Sequence, residues 1–296
     1  MKHGEAKSQT GNPSFSVVGV PAHSDLDIGV IYTHEDHFMS QLLTSLAQSG
    51  PDLNLRLVLV DNASANGVSA WNDIFPVTTV IRNEQRLTYA ENLNLILEHT
   101  AAPFSLLLNT DMYFEPGERC LSRMVRFMKQ HPDCGVSGCR LYRADESYAH
   151  PPRRFQTLRT VAARRLGAAW LQDEVQRYLY LDRDHRQVFD CDWLSGCFLM
   201  VRRRAFEEIG YLDTQFHKYF EDVDYCLRMA SSGWRVMFNG QTYCYHLEQR
   251  ASRRWLSKDA MLHAMSYWKW LRKWGFHPGR HVASLPDDTQ RPRRAA

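Results

Sequence analysis

The class of fold follows from residues 55–64, which read LRLVLVDNAS. The mostly apolar run Leu55 to Val60 has the length and the Leu/Val content of a strand that is buried on both faces of a sheet. The polar residues Asp61 to Ser64 end this strand. Strands of this kind are typical of parallel sheets, in which a helix connects each strand to the next.

The neighbouring sequence repeats the same unit on both sides of this strand. Further apolar runs predict strands at Ile28–Tyr32, Val77–Ile81 and Phe104–Leu108. Helical spacing between them predicts helices at Phe38–Leu46, which Gly50-Pro51 ends, and at Ala90–Leu97. Strand, helix and strand at this interval predict an α/β fold with a mainly parallel central sheet and helices on both of its faces.

Polar side chains follow three of these strands. Thr33, Asp61 and Asp111 each come directly after, or within three residues of, the end of an apolar run. In open parallel sheets, ligands bind beyond the carboxyl ends of the strands. Asp61 can accept a hydrogen bond from the imide N–H of a uracil or thymine ring, and Asp111 can hold a hard divalent cation on a diphosphate. A turn-forming role is the alternative for each aspartate taken alone.

A second group of acids lies near residue 220, where residues 219–224 read YFEDVD. The apolar spacing that follows predicts a helix whose first turn carries Glu221 and Asp222. Acids there could merely complement the helix dipole. Together with the single His246 downstream, they also form a set suited to metal-assisted group transfer. Residues 192–196, DWLSG, offer a carboxylate and an indole for a sugar and a glycine turn that a sugar could approach, although Trp193 could equally be a core aromatic.

Composition limits the class of protein. The chain has 296 residues, 44% of them hydrophobic, and can bury a large core, and no apolar run is long enough to cross a bilayer. We expect a cytoplasmic protein whose residues 1–26 form a flexible tail. The seven cysteines include no CxxC pair, which argues against a disulfide framework or a structural zinc site and favours a role as core residues. The net charge of +3 comes without a nucleic-acid-binding motif, so we expect no nucleic-acid partner.

The basic residues are concentrated towards the C-terminus, where residues 250–280 combine them with tryptophans. Trp255, Trp268, Trp270 and Trp274 stand among arginines and lysines, a composition typical of a helix at a membrane interface. A solvated helix packed on the domain through its tryptophan face is the alternative. We expect residues 27–248 to form the main domain, 249–280 a basic aromatic helical segment, and 281–296 a second flexible tail.

Taken together, the motifs resemble the inverting glycosyltransferases of family 2, which have the GT-A fold, and within them the bacterial rhamnosyltransferase-like branch. The resemblance covers about residues 27–275 and is carried by the blocks VDNAS (60–64), LNTD (108–111), DWLSGC (192–197), YFEDVD (219–224), GWRV (233–236) and HLEQRASRR (246–254). The chain departs from the family at Asn109, where a strict DxD motif has an acid, and at Thr88, where relatives often have glycine.

The resemblance implies a role for each matching residue. It implies that Asp222 is the catalytic base with Glu221 beside it, and that Asp111 and His246 hold a divalent cation, Mg²⁺ or Mn²⁺. The remaining implied roles are nucleotide binding by Thr33, Asp61, Asn62, Asn94 and Asn109, acceptor binding by Asp192, Trp193, Ser195 and Gly196, and diphosphate binding by Arg250 and Arg253.

The implied activity is transfer of a sugar to a lipid-linked or surface-polysaccharide acceptor at the inner face of the membrane. The expected donor is dTDP-L-rhamnose, and a UDP-hexose fits the same motifs. A nucleotidyltransferase would need a glycine-rich, lysine-containing loop after the first strand, and residues 31–36, IYTHED, contain none. A non-catalytic saccharide-binding relative would be expected to lack the acid at position 111 or 222.

Overall fold

A computed structural model describes residues 14–17, 23–65, 68, 71, 74–75, 77–167, 169–247 and 258–282. The strands are β1 Ser14–Val17, β2 Leu26–Tyr32, β3 Leu55–Asp61, β4 Val77–Arg82, β5 Phe104–Leu108, β6 Met112–Tyr113, β7 Cys134–Tyr142, β8 Pro152–Arg153, β9 Val188–Asp190, β10 Trp193–Leu194, β11 Phe198–Arg202 and β12 Arg235–His246. The helices are α1 Asp36–Ser49, α2 Tyr89–Glu98, α3 Cys120–Gln130, α4 Leu158–Leu166, α5 Gln172–Tyr178, α6 Arg203–Ile209, α7 Glu221–Ser231 and α8 Lys258–Trp274.

One large mixed sheet runs through the molecule in the order β1-β4-β3-β2-β5-β11-β7-β12-β6, and β9 pairs with β12. Strands β4, β3, β2 and β5 are parallel, which confirms the α/β fold and the crossover units predicted from the first half of the sequence. The antiparallel strand β11 joins β5 to β7, and β12 then runs parallel to β7. Strands β8 and β10 form a separate two-stranded sheet.

Residues of β3 alternate between two cores because successive side chains of a strand point to opposite faces. Val58 and Val60 pack with helices α2 and α7 on one face. Leu57 and Leu59 pack with α1 and α3 on the other face. The basic residue of β3, Arg56, is buried and forms a bidentate ion pair with the buried Asp27 of β2.

The two ends of the chain differ from the sequence-based boundaries. Within the segment expected to be a flexible tail, Ser14–Val17 pairs antiparallel with β4 as an edge strand. At the other end, α8 packs against the first core face: Trp270 is fully buried and Tyr267 and Leu271 are nearly so. The structure therefore favours the domain-packing alternative for this part of the basic aromatic segment. In the described part of the chain, no helix combines the length and the hydropathy that a bilayer span requires.

Candidate active site

The predicted convergence of polar residues at one edge of the sheet is present. Parallel pairing places Tyr32 opposite Asp61 and Val30 opposite Leu108, so that β2, β3 and β5 end side by side. Thr33 and Asn109 follow two of these strand ends and Asp61 is the last residue of the third. Asp111 comes after the turn that follows β5. The carboxyl edge of the parallel strands therefore carries the candidate nucleotide and metal residues.

Asp61 is fully buried and has one oxygen without a hydrogen-bond partner. Its Oδ1 accepts from the main-chain N–H of Ser64 at 2.8 Å. Its Oδ2 accepts no hydrogen bond, and the guanidinium of Arg82 stands 3.4 Å away with half its side chain in solvent. A buried carboxylate oxygen without a donor is costly unless a ligand supplies the donor. Asp61 is thus able to accept an imide N–H.

Two of the candidate nucleotide residues hold the surrounding loops in the structure. The carboxamide oxygen of Asn62 accepts from the N–H of Leu87 at 2.8 Å, and its nitrogen donates to the carbonyl of Leu87 at 3.2 Å. The carboxamide of Asn94 makes the same pair of bonds with the main chain of Leu212, at 2.8 and 2.9 Å. Both side chains therefore fix the backbone around the site. The third candidate, Thr33, is half-buried, and its main-chain N–H donates to the carboxylate of Glu35.

The departure from the family at Thr88 has a local structural reason. Thr88 is the N-cap of α2, and its hydroxyl accepts from the N–H of Glu91 while the Glu91 carboxylate accepts from the N–H of Thr88. This reciprocal capping box satisfies two main-chain donors at the start of the helix. Thr88 thus fixes the start of the helix that carries Tyr89 and Asn94.

Asp111 and His246 come together although 135 residues separate them in the sequence. Strand β12 ends beside β6, with His246 opposite Met112, and the N–H of Leu247 donates to the carbonyl of Asp111. The Nε2 atom of His246 lies 3.2 Å from Oδ1 of Asp111. Both atoms are buried, and they form an ion pair when the imidazole is protonated. Burial alone lowers the pKa of His246, but Cys197 and Asp111 outweigh burial and raise the pKa to about 11. These neighbours therefore favour the protonated imidazole, which must release its proton before it can bind a cation.

Asp222 is held by main-chain donors at the start of α7. Its Oδ2 accepts from the N–H of Gly196 at 2.9 Å and its Oδ1 from the N–H of Val223 at 2.8 Å. A β-carbon on Gly196 would lie 3.2 Å from Cβ and 3.3 Å from Oδ2 of Asp222. Glycine at 196 therefore allows the carboxylate to approach the backbone. From the sequence alone, Gly196 is expected to let a sugar approach the backbone.

The two acids of the pair differ in their hydrogen bonds. Burial and the neighbouring charge of Asp222 raise the pKa of Glu221 well above its usual value. Burial also raises the pKa of Asp222, but the hydrogen bonds from Gly196 and Val223 and the charge of Arg153 counteract part of this increase. The two main-chain donors favour the ionised form of Asp222, whereas Oε2 of the buried Glu221 accepts no hydrogen bond among the described residues. A carboxylate with a raised pKa suits a general base.

The turn before α7 is strained. Tyr219 and Phe220 both have positive φ angles, of 68° and 73°, a region that bulky side chains rarely adopt. Phe220 is buried, and its ring packs 5.7 Å from that of Trp270 and 5.5 Å from that of Tyr267, both on α8. Helix α8 thus holds the turn that positions Glu221 and Asp222.

The remaining acceptor candidates are largely engaged within the protein. Trp193 is 5% exposed, its indole N–H donates to the carbonyl of Arg154, and the guanidinium of Arg153 lies 4.9 Å from its ring centroid. The carboxylate of Asp192 accepts from the N–H of Phe155 and from the hydroxyl of Tyr180. These contacts favour the alternative in which Trp193 is a core aromatic residue. Asp192 also lines a cleft of about 400 Å³ beside α4, α5 and the end of α8.

The hydroxyl of Ser195 lies 3.4 Å from the sulfur of Cys197. The predicted diphosphate ligands Arg250 and Arg253 lie outside the described residues.

Sequence reasoning missed a tyrosine that joins the two halves of the site. The hydroxyl of Tyr89 donates to Oδ1 of Asn109 at 2.8 Å and lies 3.3 Å from the carbonyl of Gly196. It therefore links the end of β5 to the loop that orients Asp222. Position 89 follows a helix cap and carries no motif. Cys197 beside His246 and Arg153 near Asp222 were likewise given no individual role.

Comparisons with known proteins agree with this geometry. The family model described as "Glycosyl transferase family 2" matches residues 27–210. N-acetylglucosaminyl-diphospho-decaprenol L-rhamnosyltransferase of Mycobacterium tuberculosis is 25% identical over 237 residues, which cover 75% of this chain and 74% of that protein. Rhamnosyltransferase WbbL of Escherichia coli is 29% identical over 82 residues, or 28% of this chain and 31% of that protein.

Solved structures share the fold at lower identity. A mannosyltransferase from Pyrobaculum calidifontis, in complex with GDP-Man and Mn²⁺, has a TM-score of 0.55 and 17% identity over 92% of this chain and 80% of that chain. TarS 1–349 of S. aureus, in complex with UDP-GlcNAc, has a TM-score of 0.56 and 15% identity over 88% of this chain and 71% of that chain. Against the longer TarS structure, the match spans 37% of that chain. The GT-A fold predicted from the sequence is confirmed, and the chain belongs to glycosyltransferase family 2.

Proposed function

We propose that this glycosyltransferase inverts the anomeric centre, with Asp222 as its single catalytic base. The observation that carries the proposal is the Asp222 carboxylate, which two main-chain donors orient at the start of α7. The acceptor hydroxyl would form the new bond to the anomeric carbon as the bond to the nucleoside diphosphate breaks. Its proton would pass to Asp222, and the diphosphate would leave with the bonding electrons.

The proposed donor is a thymine or uracil nucleotide sugar. Asp61 supports this choice, because its buried Oδ2 lacks the hydrogen-bond donor that N3–H of either pyrimidine would supply. Tyr89, which bonds to Asn109 and lies beside the carbonyl of Gly196, would fix the nucleotide-binding residues relative to the catalytic base Asp222. Asn62 and Asn94 are assigned a supporting role, in which they hold the backbone on either side of α2.

The side chains of Asp111 and His246 fit a divalent cation. Their facing oxygen and nitrogen are buried and 3.2 Å apart, so a cation that both could bind would replace the imidazole proton of their ion pair. A cation held there would neutralise the negative charge that develops on the departing diphosphate. A mixed carboxylate and imidazole set favours Mn²⁺ over Ca²⁺, and Mg²⁺ also suits the carboxylate. The P. calidifontis enzyme was solved with Mn²⁺.

The proposed reaction moves L-rhamnose from dTDP-rhamnose to a diphosphate-linked saccharide on a lipid. This choice rests on the rhamnosyltransferases of M. tuberculosis and E. coli, the first of which is named for such an acceptor. Arg153 supports an anionic acceptor: it is half-buried near Asp222, and its guanidinium stacks on Trp193 without a carboxylate partner among the described residues. We assign it to the acceptor diphosphate.

Transfer from a UDP-hexose is the second candidate. TarS, which has the same fold, was solved with UDP-GlcNAc, and Asp61 would accept from uracil as well as from thymine. A non-catalytic saccharide-binding role is less well supported, since Asp111 and Asp222 are both retained and placed at one edge of the sheet.

We also propose that the enzyme works at the cytoplasmic face of the inner membrane. All seven cysteines are free thiols, which suits a reducing compartment. On α8, three large apolar side chains share one solvent-exposed face at helical spacing, namely Met261, Met265 and Trp268, which are 60%, 50% and 60% exposed. This exposed stripe could enter the headgroup region beside a lipid-linked acceptor.

The decisive experiment is a transfer assay with purified protein. The donors would be dTDP-rhamnose, UDP-glucose, UDP-GlcNAc and GDP-mannose, and the acceptor a short-chain prenyl-diphosphate-linked GlcNAc. We expect product from dTDP-rhamnose with inverted anomeric configuration by NMR. Product from a UDP sugar alone would select the UDP-hexose donor. Retention of the anomeric configuration in the product would exclude Asp222 as the single base. Nucleotide binding without turnover would favour the non-catalytic role.

A further inference from the structure

Three cysteines that are far apart in the sequence meet in the second core. They are Cys120 at the start of α3, Cys139 in β7 and Cys244 in β12. The Sγ atoms of Cys120 and Cys139 are 3.9 Å apart, those of Cys139 and Cys244 are 3.6 Å apart, and all three lie within 4.8 Å of one another. The spacing of cysteines along the chain had argued against a structural metal site, but the fold assembles three sulfurs that the spacing does not reveal.

The sulfur separations match those of a thiolate metal centre. Two sulfurs that each lie about 2.3 Å from one ion at a tetrahedral angle are about 3.8 Å apart. The two measured separations fall on either side of this value. The three side chains are at most 1% exposed. In such a site, an ion would replace contacts between thiols without a rearrangement of the backbone.

The elements around the cluster support an ion-binding role. Opposite β7, strand β12 has three additional residues, 240–242, between the pairs Asn239 with Cys139 and Tyr243 with Arg140. This bulge brings the buried Thr242 to Cys120, and the Thr242 hydroxyl also donates to Glu118. Bulges of this kind re-aim side chains and occur next to functional sites. The cluster thus has a polar side as well as an apolar one.

We propose that Cys120, Cys139 and Cys244 form a trithiolate site for a thiophilic d¹⁰ cation, Zn²⁺ or Cu⁺. Sulfur ligands select these ions over Mg²⁺, Ca²⁺ and Mn²⁺, which prefer oxygen. Each thiol releases its proton to solvent as its sulfur becomes a ligand, so three thiolates and Zn²⁺ give a complex with a charge of −1. Because Cys120 is the first residue of α3, the main-chain N–H groups of that helix face this negative charge favourably.

A bound ion would brace the proposed active site. It would tie α3 to β7 and β12, and Cys244 is two residues before His246 on β12. Residues two apart on a strand point to the same face, so Cys244 lies about 7 Å along β12 from the histidine that faces Asp111. The ion would therefore restrict the strand that delivers His246.

The test is a titration of reduced, chelator-treated protein with Cd²⁺, which replaces Zn²⁺ and gives an ultraviolet charge-transfer band only when thiolates bind it. The Asp111 and His246 pair contains no sulfur, but Cys197 lies beside His246, so Cys197→Ser, which should also keep the band, excludes a contribution from that pair. We expect saturation at about one equivalent. The band should be lost in Cys139→Ser and Cys244→Ser and kept in Cys134→Ser, a matched change of another buried cysteine of β7. Separate titrations with Zn²⁺ and Cu⁺, read by displacement of Cd²⁺, would identify the preferred ion.

A second measurement covers variants that do not fold. In the unmodified protein, Zn²⁺ or Cu⁺ should raise Tm by about 5 °C or more and slow the alkylation of three thiols beyond the protection that burial gives without the ion. The absence of both the band and the protection in the unmodified protein would show that the cluster is only thiol packing. A band that persists in Cys139→Ser and Cys244→Ser would assign cadmium to other cysteines, and either result overturns the proposal.

Discussion

Asp222 owes both its position and its pKa to its immediate surroundings. Burial raises its pKa above the usual 3.8, and Gly196 and Val223 donate to its two oxygens. A general base works only as the carboxylate, so activity is present above the pKa and is lost as pH falls through it. Because the pKa is raised, we expect the acid limb of kcat/KM to lie at a higher pH than for an ordinary aspartate.

Asp222→Asn should remove the base and keep one of the two main-chain contacts of the side chain, because the carboxamide nitrogen cannot accept a hydrogen bond. We expect nucleotide binding close to that of the parent and a fall in kcat of about a hundredfold or more. Calorimetric binding of dTDP and turnover at saturating substrates measure the two quantities. Comparable turnover by the variant and the parent would rule out Asp222 as the base.

Gly196 provides a test of position rather than chemistry. Gly196→Ala would place a β-carbon 3.3 Å from Oδ2 of Asp222, so the carboxylate must shift. A displacement of about 1 Å can cost about a hundredfold in rate, and we expect kcat to fall by about 10- to 100-fold. Gly117→Ala is the matched control, because a β-carbon there meets no atom within 4 Å. Equal effects of the two changes on kcat would contradict the positioning role of Gly196.

Asp111 provides a test of the proposed cation. Its Oδ1 is the buried carboxylate oxygen that faces Nε2 of His246, so its loss should remove the affinity of the pair for a divalent ion. We expect chelator to abolish transfer, Mn²⁺ or Mg²⁺ to restore it, and Asp111→Ala to be insensitive to this rescue. Full activity in excess chelator would exclude the metal from the mechanism.

At the scale of elements, α8 holds the strained turn in front of α7. Positive φ angles at Tyr219 and Phe220 cost about 1–3 kcal/mol each, so the turn persists only where its surroundings favour it. The ring of Phe220 packs on Trp270, and the indole N–H of Trp274 donates to Asp224 in the first turn of α7. Helix α8 thus contacts Phe220 and Asp224, which lie on either side of Glu221 and the proposed base Asp222.

Trp270→Phe should loosen this turn without removing the aromatic core. We expect a lower Tm and a several-fold lower kcat, with the dTDP affinity little changed because Asp61 lies on a different element. Trp268→Phe is the matched control on the same helix, since Trp268 is 60% exposed. If Trp270→Phe lowers Tm with kcat unchanged, α8 contributes stability only and does not position Asp222.

Within single elements, sequence reasoning succeeded where local pattern decides the outcome. Strands β2 to β5 are buried between two helical layers, so their apolar runs and polar ends are visible in the sequence. The link from Tyr89 to Gly196 joins residues 107 positions apart, and no local pattern reports it. The same holds for Gly196, whose missing side chain matters only because α7 brings Asp222 to it.

At the scale of the whole molecule, composition left the C-terminal segment undecided for a physical reason. Trp268, Trp270 and Trp274 look equivalent in sequence, but the fold buries Trp270, bonds Trp274 to Asp224 and leaves Trp268 in solvent. Of the basic residues, Lys273 pairs with Asp213 and Asp224, and Lys269 donates to a main-chain carbonyl. The sequence does not show which face of α8 packs on the domain, so it does not show which apolar side chains of this helix stay exposed.

The exposed stripe of Met261, Met265 and Trp268 leads to the prediction for the membrane. Arg272 is exposed near the end of the same helix, and basic residues close to an anionic surface contribute about 1 kcal/mol each. We therefore expect salt-sensitive binding to vesicles that contain phosphatidylglycerol, measured by cosedimentation. The double change Met265→Ser with Trp268→Ser should reduce this binding by about tenfold or more, because two interfacial apolar side chains are lost.

Leu181→Ser is the matched control, since Leu181 is 47% exposed but lies outside α8. It should leave vesicle binding unchanged, and neither set of substitutions should alter transfer to a water-soluble acceptor analogue, because none of these residues lies at the carboxyl edge of the sheet. Loss of membrane binding should therefore raise only the KM for the lipid-linked acceptor. If the unmodified protein shows no preference for anionic over neutral vesicles at low salt, the stripe does not bind membrane, and the lipid-linked acceptor must reach Asp222 by another route.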